Sequence, residues 1–296
     1  MSVITNFPAT PNRMKIVWSY VGRAGQGSIQ GDELLGLLGP KALQARQSED
    51  EGTSSGTTIG DHVVTEMCTL GLLERRDDGS LAIGPNAPSG DDATLLAYLE
   101  SRLLEPKEAD RHGQKSFPLA LAWFLIQDPA TPLQWGQNYN KRVEDDCGVA
   151  SGSFELSNHS RFEQFVYWAR YLGFAWRLES QGANVVFPDP TNAIARHLPK
   201  VMGGNGRRPI QEVLLEIARL LPVLEGGTAR AEVEALLSPN SHPPDGHISR
   251  STSFALERLE RQEMIRMDRV ADAPALNLDR STAPRAVSHI TWQGEK

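Results

Sequence analysis

Residues 57–83, TTIGDHVVTEMCTLGLLERRDDGSLAI, contain the pattern that decides the predicted fold. Apolar residues in the first half have the spacing of one helix face: they are Ile59, Val63, Met67 and Leu70. Gly71 follows, and glycine is typical of the left-handed residue that ends a helix. The segment from Glu74 to Ile83, folded at Asp78-Gly79, predicts a β-hairpin. A helix, a glycine and a hairpin are the second half of a winged helix-turn-helix.

A similar pattern recurs near the middle of the chain. Leu172-Gly173-Phe174-Ala175 occupies the place that Leu70-Gly71-Leu72-Leu73 holds in the first unit, and two predicted strands follow it. A third, more divergent copy has a helix at residues 250–262 and Glu263 in place of the glycine. Its predicted wing pairs residues 266–270 with residues 276–278, and a last strand at residues 287–292 is expected to add to it. Such internal repetition indicates tandem units.

The predicted fold is therefore mainly α with small β-hairpin wings, built as tandem winged helix-turn-helix units. The predicted divisions are unit 1 at residues 1–88, a helical linker with unit 2 at residues 89–200, and unit 3 at residues 201–296. Residues 1–13 are expected to form an extended arm, and residues 44–56 a polar loop.

Composition is that of a globular protein, with 40% hydrophobic and 23% charged residues in a chain of 296. No apolar run approaches the roughly 18 residues of a membrane span, and the first residues do not have the pattern of a secretory signal. A cytoplasmic location is expected. Cys68 and Cys147 are the only cysteines, too few for a structural zinc site.

The net charge of −7 argues against simple DNA binding, because phosphate neutralisation supplies most non-specific affinity. The charged residues are unevenly distributed along the chain. Residues 1–88 and 89–200 each have a net charge of −3, whereas residues 201–296 contain 12 basic and 13 acidic side chains. The last third therefore offers the better candidate for contact with nucleic acid.

The candidate nucleic-acid-binding residues lie on or beside the third helix of two units, which is the recognition position of a helix-turn-helix. They are Arg250, Arg258, Arg261, Arg266 and Arg269 in the third unit, and His159 and Arg161 in the second. The alternative is a solvated face, because Glu257, Glu260 and Glu263 alternate with these arginines and would pair with them along the helix. If the first interpretation holds, replacing Arg258 and Arg261 by alanine lowers DNA affinity without unfolding the chain.

Aromatic residues are dense between positions 123 and 176. At helical spacing beside the apolar run at residues 119–126 they indicate core. A base-stacking platform is the alternative.

Catalytic patterns are missing. The glycine-rich run at residues 22–27 does not match a phosphate-binding loop, and His242, Asp245 and His247 have no fourth ligand for a metal. No enzymatic activity, cofactor or metal is therefore expected.

The beginning of the chain resembles the DpdG proteins. The resemblance covers about the first 45 residues and the overall layout: Pro11-Asn12, the helix before the glycine turn, and the run from Asp32-Glu33-Leu34-Leu35 to Gly39-Pro40-Lys41-Ala42-Leu43. DpdG proteins are accessory components of bacterial Dpd systems, which insert 7-deazaguanine derivatives into DNA and act in phage defence. The resemblance implies a non-catalytic, defence-associated role beside ATPase or helicase partners, and it supplies no site residues.

The predicted function is a non-catalytic DNA-binding or adaptor subunit of a bacterial DNA-modification or phage-defence complex. Its expected partners are DNA and the proteins of that complex, and a homo-oligomer is left open. The competing prediction is a stand-alone winged-helix transcriptional regulator, and an enzyme with an unfamiliar site is the third.

Overall fold

A computed structural model describes residues 2–24, 27–38, 58–148, 153–203, 206–242, 244, 246–279 and 284–294. The predicted polar loop at residues 44–56 lies outside these ranges. The helices in chain order are α1 (Pro11–Arg23), α2 (Gly31–Leu38), α3 (Ile59–Thr69), α4 (Asp92–Leu103), α5 (Pro106–Arg111), α6 (Ser116–Phe124), α7 (Asn140–Cys147), α8 (His159–Tyr171), α9 (Thr191–Met202), α10 (Ile210–Leu220), α11 (Thr228–Glu234) and α12 (Arg250–Arg261).

The strands are short and are distributed along the whole chain. They are β1 (Ser28–Gln30), β2 (Leu73–Arg75), β3 (Ser80–Ile83), β4 (Leu133–Gln134), β5 (Ala175–Ser180), β6 (Ala183–Pro188), β7 (Arg207–Pro209), β8 (His247–Ile248), β9 (Ile265–Asp268), β10 (Leu276–Leu278), β11 (Arg285–Val287) and β12 (His289–Trp292).

The described strands form three-stranded sheets in which distant segments meet. The sheet orders are β1–β3–β2, β4–β6–β5, β7–β12–β9 and β11–β10–β8. In the first two sheets an early strand adds to one edge of a later antiparallel hairpin. In the last sheet β10 pairs antiparallel with β11 and parallel with β8.

The opening stretch folds locally as its residue types dictate. Thr58 and Asp61 form a capping box at the start of α3, which satisfies amides that would otherwise have no partner. Gly71 has φ +74° and Gly173 has φ +86°, the left-handed conformation that favours glycine. At the third equivalent position Glu263 has φ +58°, so a residue with a side chain occupies the same conformation. The helix, the glycine and the β2–β3 hairpin of the prediction are confirmed.

The fold-class prediction is wrong. The protein is mixed α/β: 48% of the described residues are helical and 17% lie in strands, which form four small sheets, so the chain is not a mainly α array of tandem winged helix units. The prediction missed β1, β4 and β7, each of which is two or three residues long. Alternation of apolar and polar residues needs a longer run than this to be visible. Partners far along the chain decide that these residues form strands.

The predicted wing of the third unit is also incorrect. The predicted pairing of residues 266–270 with residues 276–278 does not form, because β10 belongs to a separate sheet. β9 pairs instead with β12, which lies within the predicted last strand at residues 287–292. The β9–β12 register aligns Met267 with Ile290 and Ile265 with Trp292. Met267, Ile290 and Ile265 are buried, so this pairing aligns apolar side chains of the core across the two strands.

The N-terminal arm is buried among the helices. Trp168 on α8 donates from Nε1 to the Ala9 carbonyl at 3.1 Å, and Gln164 donates to the Asn6 carbonyl at 3.2 Å. Val3 is fully buried. These bonds join the beginning of the chain to residues of the predicted second unit, within one connected apolar core. The division into units at residues 88 and 200 stays a prediction.

Candidate macromolecular interface

The start of α12 is fixed by a carboxylate from outside the helix. Ser249 caps the helix by accepting from the Thr252 amide. Glu225 accepts hydrogen bonds from the Ser249 amide at 2.9 Å and from the Thr252 hydroxyl at 2.7 Å. The helix predicted to contact DNA is thus attached to the loop between α10 and α11.

Glu225 belongs to a buried charge cluster. Arg230 is fully buried, and its Nη2 lies 4.0 Å from Glu225 Oε1 while its Nε donates to Glu234 Oε1 at 2.7 Å. Burial raises the pKa of Glu225, but the Arg230 charge and the hydrogen bonds from Ser249 and Thr252 outweigh it, so the pKa lies below its ordinary value. Glu225 is therefore held in its charged form.

Arg250, the first residue of α12, joins two other parts of the chain. Its Nε donates to Asp279 Oδ2 at 3.1 Å, and its Nη1 donates to Asp128 after α6. Hydrogen bonds from these carboxylates, together with their charge, raise the pKa of Arg250. Because its charge is shared between two carboxylates, Arg250 is poorly placed to neutralise a phosphate.

Arg258 and Arg261 differ in their partners. Arg258 forms an ion pair with the buried Asp189, which follows β6, and its guanidinium lies 5.7 Å from the Phe254 ring centre. Arg261 lies 3.6 Å from Glu257 one turn earlier and is 71% exposed. The pairing along the helix that the alternative interpretation expected is thus present at Arg261, whereas Arg258 is paired with another element.

The remaining predicted residues are more open. Arg266 is exposed on β9, and Arg269 is exposed and donates to the Ala273 carbonyl at 3.0 Å. His159 is exposed as the first residue of α8, and Arg161 donates to the Ser157 hydroxyl at 3.0 Å. Arg250 and Arg261 line one groove, and the other five predicted residues are not among its lining residues.

We call this groove the α12 groove. It has a volume of about 450 Å³ and is lined by aromatic rings, arginines and carboxylates: Phe187, Phe254, Arg250, Arg261, Asp128, Glu257 and Asp279, with Pro129, Ala130 and Ser253. The carboxylates make it a poor site for a nucleic-acid backbone. Aromatic rings and arginine are the residue types that protein–protein interfaces favour over the rest of the surface.

Most of the aromatic group forms core, as the favoured interpretation predicted. The fully buried members are Trp123, Phe124, Phe162, Phe165, Trp168 and Phe174. Tyr167 and Trp176 are the exceptions, at 40% and 50% exposed. Sequence reasoning assigned both to the core with their neighbours. Alternation along β5 places Trp176 and Arg177 on opposite faces, and in the structure Arg177, at 14% exposed, lies on the covered face.

Each exposed ring packs against a second ring. Tyr167 contacts Trp135 edge to face with centres 5.5 Å apart, and the Arg177 guanidinium lies 3.7 Å from the Trp135 ring centre. Trp176 contacts Phe187, its cross-strand partner, at 5.2 Å. Between Tyr167 and Trp176 lies a cleft of about 380 Å³, which we call the aromatic cleft. Because Phe187 also lines the α12 groove, the two sites adjoin through the Trp176–Phe187 pair.

A buried polar cluster holds the arm in place at one end of α3. Glu66 is 1% exposed and accepts hydrogen bonds from Asn6 and Gln114, and Gln114 accepts from the Val3 amide at 2.7 Å. Burial raises the pKa of Glu66, even though these two hydrogen bonds favour its charged form. This cluster could not be predicted from sequence spacing, because its members are up to 111 residues apart.

The described residues contain no membrane-spanning helix and no cluster of metal-ligating side chains. None of the helices in the described ranges combines the length and apolar character that a bilayer crossing requires. Across the same ranges, no three His, Cys, Asp or Glu side chains meet in a geometry that would hold a metal. Asp245, between His242 and His247, lies outside the described residues.

A family model described as DpdG-like matches residues 1–273. No curated protein and no solved structure matches the chain. The match covers most of the sequence and extends far beyond the first 45 residues on which the resemblance rested. The chain belongs to the DpdG-like family, which indicates an accessory protein of a Dpd system.

Proposed function

We propose that this protein is a non-catalytic adaptor subunit of a Dpd complex, and that it docks onto a protein partner through the α12 groove rather than binding along duplex DNA. The observation that carries the proposal is the engagement of Arg250 and Arg258 by carboxylates of other elements. A helix that reads DNA would need the arginines at these positions to be free to contact phosphate groups.

Electrostatics support a protein partner over a duplex. To contact a phosphate, Arg250 would have to leave Asp128 and Asp279, and Arg258 would have to leave the buried Asp189. Each departure uncovers a carboxylate that repels the phosphate. With a net charge of −7, the chain adds no long-range attraction.

The groove indicates the chemistry of the partner segment. Phe187 and Phe254 offer apolar contact, and Arg261 is the most exposed of the arginines in the groove. Its weak pair with Glu257 at 3.6 Å can be exchanged for a better-placed carboxylate. The occupant is therefore a polypeptide segment with an apolar side chain next to an acidic one. Membership of the DpdG-like family supports a role in a complex with other proteins.

The test is co-purification of the tagged protein with the other proteins of its own Dpd system, produced together. Ala130 is exposed at the edge of the groove, so Ala130→Arg fills the groove without disturbing the core. We expect this change to reduce recovery of the partner at least tenfold, the loss typical of blocking a central contact.

The matched control is Ala235→Arg, an exposed alanine at the end of α11 that does not line the groove. It should recover the partner as the unchanged protein does. The groove assignment fails if Ala130→Arg recovers as much partner as Ala235→Arg, and the adaptor role itself fails if the unchanged protein recovers none.

A further inference from the structure

The aromatic cleft differs in charge from the α12 groove beside it. Its lining residues include Tyr167, Arg170, Trp176, Asn12 and Asn192, and among the described residues that line it there is no carboxylate. Burial and, to a smaller extent, the Asp92 carboxylate raise the pKa of Tyr171, which also lines the cleft. Asp92 is itself ion-paired with Lys15. The lining of the cleft therefore lacks the excess of negative charge that the whole protein has.

We propose that the aromatic cleft binds an unpaired strand of nucleic acid, with bases stacked on Tyr167 and Trp176. This is a second interaction site, independent of the adaptor role proposed above. Half-exposed aromatic rings leave a large apolar area in water, and such area commonly marks a binding surface.

The rings are held ready for stacking. Trp135 supports Tyr167, and Phe187 supports Trp176, so each exposed ring is restrained by a neighbour before any ligand arrives. A base that stacks on a restrained ring costs less conformational entropy than one that stacks on a mobile ring. A base paired within a duplex has both faces covered by its neighbours, so only an unpaired base can use these rings.

The polar groups of the cleft suit the rest of a nucleotide. Arg170 is exposed at the cleft and can contact a phosphate. Asn12 and Asn192 are exposed amides that can donate to and accept from base edges. The first turn of α1 reaches the cleft with no side-chain cap and no acidic residue, which adds positive potential to that supplied by Arg170.

The fold brings these groups together from four parts of the chain: the start of α1, α8, β5, and α9, which supplies Asn192. Trp168 and Gln164 point inward from α8 and hold Ala9, which places residues 10–12 at the cleft. Tyr167 and Arg170, from the same helix, face outward. The β5 strand supplies Trp176. The cleft thus depends on the burial of the N-terminal arm.

The test is fluorescence anisotropy of the purified full chain with a labelled dT12 strand, the same length of abasic deoxyribose phosphate, a 12-base-pair duplex and rU12. We expect dT12 to bind at least tenfold more tightly than the abasic strand and the duplex, since stacking supplies the difference. The rU12 measurement identifies the source: tighter binding of rU12 than of dT12 assigns the cleft to RNA, and the reverse assigns it to DNA.

Variants locate the site. Tyr167→Ala and Trp176→Ala should each weaken dT12 binding roughly tenfold, whereas Trp176→Phe keeps a ring and should retain most of the affinity. Tyr20→Ala removes an equally exposed tyrosine elsewhere and should change nothing.

Three results would overturn the proposal: equal affinity for the abasic strand, no effect of either alanine variant, or no binding up to about 100 µM protein, the weak end of non-specific binding. Because all arms use the protein alone, the outcome does not depend on partner docking through the α12 groove.

Discussion

Glu225→Gln is expected to lower the free energy of unfolding by about 3 kcal/mol, the lower end for breaking a buried ion pair. The substitution leaves Arg230 fully buried, with Glu234 as its remaining charged partner in the cluster. It also weakens the attachment of Ser249 and Thr252 at the start of α12. We choose the lower end because 19% of the Glu225 side chain stays exposed. Chemical denaturation at neutral pH measures the loss.

The pairing of Glu225 with Arg230 also predicts that the free energy of unfolding depends on pH. The pKa of Glu225 in the native state lies below its value in the unfolded chain, which is about 4.3. Its stabilisation is therefore present above that value and is lost as the pH falls through the native pKa. The gap between the unchanged protein and Glu225→Gln should narrow on acidification below about pH 4.

Two comparisons keep this prediction falsifiable. Glu212→Gln removes an exposed carboxylate that lies 3.4 Å from Arg208, and it should cost less than about 0.5 kcal/mol. Arg230→Met combined with Glu225→Gln should recover part of the loss, because no buried charge is left unpaired. If Glu225→Gln and Glu212→Gln cost the same, the buried pair does not stabilise α12.

Phe165→Ala is expected to cost about 3–5 kcal/mol, as truncating a core aromatic does. Phe165 is fully buried at the centre of a ring cluster, with ring centres 5.5 Å from Phe124, 5.9 Å from Phe117 and 6.2 Å from Phe162. The alanine variant leaves a cavity that these rings cannot fill. Thermal and denaturant unfolding measure the loss.

Tyr167→Ala is the matched control two residues further along α8. Tyr167 is 40% exposed, so this change should cost about 1 kcal/mol or less. A similar loss at the two positions would contradict the assignment of Phe165 to the core and of Tyr167 to the cleft surface. The contrast also establishes that the Tyr167 variant used for strand binding is folded.

The sequence predicted those parts of the fold that neighbouring residues determine. The helical spacing before Gly71, the left-handed glycine and the Asp78-Gly79 hairpin all depend on residues within a short window, and all are present. Partner choice was not predictable in this way. The last strand was predicted to join the third wing, but the placement of β10 in a separate sheet and the addition of β1 to β3 depend on which distant apolar side chains become covered.

The partners of the candidate site residues could likewise not be predicted from the sequence. Arg258 was considered either as a DNA contact or as one half of a pair along its own helix, but its partner Asp189 is 69 residues away. No spacing rule connects the two. Alternation along β5 predicts that Trp176 and Arg177 lie on opposite faces of the strand. It does not predict that the face of Arg177 is the covered one and that Trp176 is therefore exposed.

The affinity of the purified protein for duplex DNA, measured as the salt concentration is raised, tests most directly whether the protein docks onto a partner rather than along a duplex. We expect weak binding, with a slope of log affinity against log salt of about 1 or 2 in magnitude, because few cations are available to phosphate. Arg258→Ala with Arg261→Ala should leave that weak binding unchanged. Tight binding to a specific duplex site, with a steep salt dependence that the double variant abolishes, would contradict docking onto a partner.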